Sequence, residues 1–321
     1  MRDLKHTVFW PPFLILLFSA AYSLIDVQGF LRHASTLNTW LLDHFGWMYA
    51  AGTLFFLGLC AWVYVSPVGK IKIGGKDAQP ILNRWRWFSI TLCTTVAIGI
   101  LFWGTAEPLY HLHQPPAGLD ITPGSPDAAR FALSTMYMHW TFTPYGIYTL
   151  TALMFALAFY NMGQPFSLGS LLAPLLGKRA HGPIGHGIDA ICLYSLVAGM
   201  GASLGAGMLT IAGGLEHLIS IEKNAFSLAL IALSIVAVFV LSAASGLMKG
   251  IRTLSHWNMI AFIAFCAFIF LFGPTRFLLS FGVEGLGEYL GHFLERSLYT
   301  GAAAGDPWPF FTGPTGWPGR R

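Results

Sequence analysis

Two short segments hold the residue types that could handle a charged solute. The first, FWGTAEPLYHL at 102–112, closes a long apolar run and sets Glu107 and His111, with His113 just beyond, at its polar edge. The second, MHWTFTPYGIY at 138–148, crowds Trp140, Phe142, Tyr145 and Tyr148 around Pro144. Aromatic faces can hold a cation by cation–π attraction. On a regular helix Trp140, Tyr145 and Tyr148 fall at about 0°, 140° and 80°, within one broad sector. Pro144 removes one internal hydrogen bond and can bend that helix locally. The same spacing also suits aromatics that face lipid or another helix. His139 reads as a hydrogen-bonded interior histidine more than as a proton relay.

Glu107, His111 and His113 have the spacing E-x-x-x-H-x-H, which would put the first two on one helix face if the helix continued. Pro108 and the following HQPPAG instead indicate a helix end and a turn. A polar cap at the outer mouth is expected there, and no metal. A membrane enzyme using Glu107 and the nearby histidines is a further alternative, but no enzyme is expected.

These segments need long apolar helices to position them, and composition supplies those. The chain is 55% hydrophobic and 10% charged, with a mean hydropathy of +0.61. A soluble domain carries about 25% charged residues, so lipid must be the main solvent. The net charge of +4 is small and spread over short loops, which argues against nucleic acid. Cys60, Cys93, Cys192 and Cys266 all fall in apolar runs and read as small buried side chains, not as disulfides or metal ligands. The first apolar run lacks a small-residue cleavage site, so no cleavable signal is expected.

A bilayer core takes about 20 mostly apolar residues as helix. Seven runs qualify: 8–25, 46–65, 87–106, 131–160, 190–218, 224–248 and 255–274. Placing the N-terminus inside puts eleven lysines and arginines on the inner side and five on the outer, with two more in the tail. Positive residues favour the cytoplasmic face, so the N-terminus is expected in the cytoplasm of a multi-pass protein of the cytoplasmic (inner) membrane. Residues 276–297 alternate apolar and polar groups at roughly helical spacing, as an amphipathic helix on the outer surface would. In the fifth run Gly199, Gly201, Ala202, Ser203, Gly205, Ala206 and Gly207 are expected to let helices pack closely. The alternative there is an ion site built from a hydroxyl and exposed carbonyls.

Five segments now carry a resemblance: SPVGKIKIGG (66–75), FWGTAEPLYHL, MHWTFTPYGIY, GASLGAGMLTIAGGL (201–215) and SGLMKGIRTLSHWNM (245–259). In order and spacing they resemble the betaine/carnitine/choline transporters, over about residues 45–297. The resemblance implies an all-α integral membrane fold of twelve helices, with two leading helices before two inverted five-helix repeats. It implies secondary transport of a small quaternary ammonium substrate, driven by sodium or proton gradients or by exchange, and no other cofactor. It also implies that Trp140, Tyr145 and Tyr148 line the substrate site, Tyr145 standing where the family typically has tryptophan. The family's glycine-rich run before FWGTAEP is Thr95, Val96, Ala97, Ile98, Gly99 here, which weakens the case for an unwound span. Choline-type relatives carry aspartate at the position of Gly99, so Gly99 as a substrate-site residue favours a zwitterion such as glycine betaine. A homo-oligomer is compatible with the family.

The chain departs from the pattern after its seventh run. No counterpart of the family's aromatic eighth span is present, and the sequence ends in DPWPFFTGPTGWPGRR. The expected organisation is two N-terminal spans with a basic loop (1–86), the first repeat (87–274), an amphipathic helix (275–300) and a Pro/Gly-rich tail (301–321). That tail is readable as a shifted reading frame, with the second repeat missing. Sites in such folds form between the repeats, so this chain would own about half of one. The alternative function is a non-transporting membrane remnant, or an accessory subunit that binds helices.

Overall fold

The computed structural model describes residues 5–95, 98–244 and 247–302. The tail from 303 onward lies outside the described residues, and with it the expected frame shift. Among the described residues the chain is helical, without strands. Helix α1 (His6–Ile25) is separated from α2 (Val27–Val65) by Asp26 alone, whose carboxylate accepts from the Gly29 N–H at 2.8 Å and caps α2. Sequence hydropathy begins the second span at 46, whereas α2 begins at Val27. Arg32, His33, Asn38 and Asp43 lower the hydropathy of 27–45, but no proline there breaks the helix. At 39 residues α2 is about 58 Å long, well beyond the roughly 30 Å of a bilayer core.

The third span is two helices, α3 (Arg84–Thr95) and α4 (Ile98–His113), inclined to each other by 48°. The fourth is α5 (Pro126–Trp140) and α6 (Phe142–Ala156), continued by a π turn at Leu157–Asn161. Ser125 caps α5 through the Ala128 N–H, with Pro126 at the first helical position. A four-residue helix, α7 (Ala173–Leu176), interrupts the link to α8 (Pro183–Ile219). Then come α9 (Ala225–Ala244), α10 (Leu247–Phe272), α11 (Thr275–Gly291) and α12 (Phe293–Ser297). Among the described residues, six helices are long and apolar enough to cross a membrane, or seven with the bent third pair, in the places the sequence indicated.

The chain forms two compact units, Met1–Ala78 with Tyr110–Gly199 and Gly285–Arg321, and Gln79–Leu109 with Met200–Glu284. In the first, α2 packs along α6. A Cβ on Gly146 would sit 3.3 Å from Leu57 Cα, and the Cys60 thiol donates to the Gly146 carbonyl at 3.4 Å. Thr7 and His186 meet at 3.1 Å, tying the start of α1 to the start of α8. In the second unit the Trp85 indole donates to His256 at 2.8 Å, and Asn258 donates to Cys93 Sγ at 3.3 Å, joining α3 to α10.

Few apolar side chains are buried. On α9 the described residues include one buried apolar side chain, Ile231, and Cys266 on α10 is exposed rather than buried as expected. The other three thiols are half-buried, and all four are free. A Cβ on Gly199, Gly201 or Gly205 would meet nothing within 4 Å among the described residues, so this part of the small-residue stripe lies open there. The buried apolar cluster is small: Phe131, Met138 and Tyr289, between α5 and α11.

Candidate functional site

The fourth span breaks at one residue. Helix α5 stops at Trp140, α6 restarts at Phe142, and Thr141 between them has φ −124° and ψ −111°. Pro144 explains the position. It cannot donate to the carbonyl four residues back, that of Trp140, and its ring crowds that carbonyl. The break therefore precedes the proline by three residues, and the regular helical projection from Trp140 to Tyr148 does not apply across it. Beyond it the helix resumes, with the Tyr145 N–H donating to the Thr141 carbonyl at 3.3 Å.

On the far side of the break the rings of Tyr145 and Tyr148 lie 6.3 Å apart, tilted by 45°. One cation between them can sit within about 6 Å of both centroids, the range of cation–π attraction. Tyr148 is 61% exposed, whereas Tyr145 and Trp140 are half-buried. The structure thus brings Tyr145 and Tyr148 together and places Trp140 across the Thr141 joint from them. Gly99 lies in the first turn of α4.

Helix α4 runs through Pro108 to His113, against the expectation that it ends near the proline. The missing N–H leaves the Gly104 carbonyl without its usual donor, and Gly104 has no side chain to crowd the proline ring. The continued helix leaves Glu107 and His111 fully buried, so neither belongs to a polar cap. His113, at the helix end, is exposed. The His111 ring meets Phe131 edge-on at 5.7 Å and lies 6.2 Å from the His139 ring.

Sequence reasoning missed a second set of residues around this span. Tyr289 of α11 is 1% exposed, and its hydroxyl accepts from Thr141 Oγ1 at 3.4 Å. Burial raises its phenol above the ordinary tyrosine value, while hydrogen bonds from Thr141 and Thr143 lower it. Arg296 of α12 is buried too. Its guanidinium donates to Glu288 at 2.5 Å and to the Ser134 hydroxyl, and lies over the Phe131 ring at 5.3 Å from the centroid. Burial lowers its affinity for the proton, and the Glu288 carboxylate opposes that. The segment 275–300 holds α11 and α12, and one face of it packs on α5. The available signal was the spacing of Glu288, His292 and Arg296 four residues apart, on one helix face.

A family model described as BCCT, betaine/carnitine/choline family transporter, matches residues 7–318. The chain belongs to this family. Its members are membrane transporters and not enzymes, and the run of apolar helices fits a multi-pass member. Among the relatives, the glycine betaine transporter OpuD of Bacillus subtilis (strain 168) is 35% identical over 298 residues, covering 92% of this chain and 57% of that protein. A glycine betaine transporter of Acinetobacter baylyi is 29% identical, with 92% and 44% covered. The high-affinity choline transport protein of Escherichia coli (strain K12) is 31% identical, with 89% and 42% covered. The chain thus spans about half the length of these betaine/carnitine/choline family relatives.

Proposed function

We propose that the chain takes part in secondary uptake of glycine betaine, or a related quaternary ammonium osmolyte, across the cytoplasmic membrane. In this reading Trp140 and Tyr148 contact the trimethylammonium group, with Tyr145 beside them and Gly99 toward the substrate. The observation that carries it is the tyrosine pair, 6.3 Å apart, beside the one-residue break that follows Trp140. Such a group has no N–H to donate, and aromatic faces are what can hold it. No carboxylate stands at Gly99, which favours a zwitterion over a net cation, since a buried charge in a membrane needs a partner. Sodium or protons would drive the uptake.

The fold proposed is the family's twelve-helix inverted repeat, of which α1 and α2 are the leading helices and α3 to α10 the first repeat. The N-terminus is proposed to be cytoplasmic. Two contacts within the first unit fit the alternation of the spans, whichever side is the cytoplasm, by putting their partners on one side: Thr7 with His186, and Gly74 with Asn161.

The test is equilibrium binding of labelled glycine betaine and of choline to the purified chain in lipid nanodiscs. Saturable betaine binding that exceeds choline binding supports the reading. Binding of neither, or a preference for choline, contradicts it.

A further inference from the structure

We propose that Tyr289 and Arg296 are positioning residues, which fix the Thr141 joint and thereby the direction of the Trp140 side chain. The inference rests on Trp140 as a substrate contact and adds what holds it in place.

A joint of one residue between two helices is a swivel. Small changes in the Thr141 dihedrals would carry Trp140 away from Tyr145 and Tyr148, and a misplacement of about 1 Å can forfeit most of an oriented contact. Local structure supplies little to lock it. Thr141 is the N-cap of α6 yet makes no side-chain capping bond to that helix, its hydroxyl facing the Tyr137 carbonyl and Tyr289 instead.

Tyr289 supplies the lock. Its ring stacks on Tyr137 before the joint, at 6.1 Å and 23°, and tilts against Phe142 after it, at 6.2 Å. Its hydroxyl meets the joint itself. One buried ring thus touches both helices and the residue between them.

Two features hold Tyr289 there. One turn earlier, Gly285 lies so close to α5 that a Cβ would come within 2.4 Å of Leu133 Cδ2. One turn later, Phe293 meets the Tyr289 ring edge-on at 5.4 Å. Beyond it Arg296 binds Ser134 on α5 and Glu288 on α11, closing the segment onto the helix that ends at Trp140. His292 also approaches Glu288, at 3.3 Å, so losing Arg296 leaves the carboxylate with a weaker partner.

The test compares the wild-type chain with Tyr289→Leu, Tyr289→Phe, Arg296→Met and Arg296→Lys in nanodiscs. It reads hydrogen exchange peptide by peptide, together with the Kd for glycine betaine. In Tyr289→Leu and Arg296→Met, exchange over 137–145 rises at least about fivefold while that over 46–65 stays within about twofold, because the opening is local. Betaine binding weakens by about fivefold or more in both. Tyr289→Phe keeps the ring and Arg296→Lys the charge, and each recovers part of both effects. Unchanged exchange over 137–145, or an equal rise over both stretches, overturns the proposal. If the wild-type chain binds no betaine, the Trp140 reading fails, and the exchange arm still decides whether the lock exists. A variant that does not insert is replaced by Gly285→Ala, for which the same local rise is expected.

Discussion

Asn161 and Gly74 are held together by a side chain reading a turn. The Gly74 N–H donates to Asn161 Oδ1 at 2.9 Å, and Asn161 Nδ2 donates to the Lys72 carbonyl at 3.0 Å. Gly74 has φ +85°, a conformation that side-chain-bearing residues rarely adopt, and a Cβ there would stand 3.0 Å from Ala78. The SPVGKIKIGG segment is thus a structural turn that joins the loop after α2 to the end of the fourth span.

Gly74→Ala and Asn161→Ala should each lower stability by about 1–2 kcal/mol, the first through strain and the second through lost hydrogen bonds. Because both act on one contact, the double variant should fall short of the sum by about 0.5 kcal/mol or more. Unfolding of the purified chain in mixed micelles would show this, and strict additivity would mean the two residues are not coupled.

Close packing of α2 on α6 yields a paired comparison. Gly146→Leu should destabilise by about 1–3 kcal/mol, because its side chain would be driven into Leu57. Gly52→Leu, where a Cβ meets nothing within 4 Å, should leave the unfolding midpoint nearly unchanged. Similar effects from both would show that α2 and α6 are not in contact.

Sidedness is open to direct chemistry. In a version with all four cysteines replaced by serine, Lys223→Cys should react with an impermeant maleimide in intact cells. Lys178→Cys should react only after the membrane is opened. The reverse pattern would place the N-terminus outside.

Exposure of α9 and of the glycines of α8 has a consequence for assembly. Helices in lipid associate through close packing of small residues, and a Cβ on Gly199, Gly201 or Gly205 would meet nothing within 4 Å among the described residues. Glycine-to-leucine substitution at Gly201 and Gly205 should weaken the association of the chain with itself, or with any co-expressed partner, in cross-linking experiments. Unaltered cross-linking would mean that the stripe faces lipid only.

The apolar helices were legible because hydropathy averages over twenty residues, and the family was legible because its motifs keep their order. The helical stretch 27–45 was not, since Arg32, His33, Asn38 and Asp43 hide it from a hydropathy window while doing nothing to break the helix. The Thr141 joint was not either, because a proline disrupts the chain at its acceptor, up to four residues back, and not at itself. Pro108 misled in the opposite sense, as the helix simply runs through it. Tyr289 and Arg296 look like ordinary members of an amphipathic helix, and only its docking on α5 buries them.

Trp140 and Tyr148 are proposed to hold a quaternary ammonium group. Glycine betaine binding to the chain in nanodiscs, measured calorimetrically for Trp140→Ala, Tyr148→Ala and the exposed control Trp62→Ala, tests it most directly. Each cage substitution should weaken binding by about two- to thirtyfold, the equivalent of roughly 0.5–2 kcal/mol for one cation–π contact, with the control unchanged. Equal effects from all three, or none from Trp140→Ala and Tyr148→Ala, would contradict it.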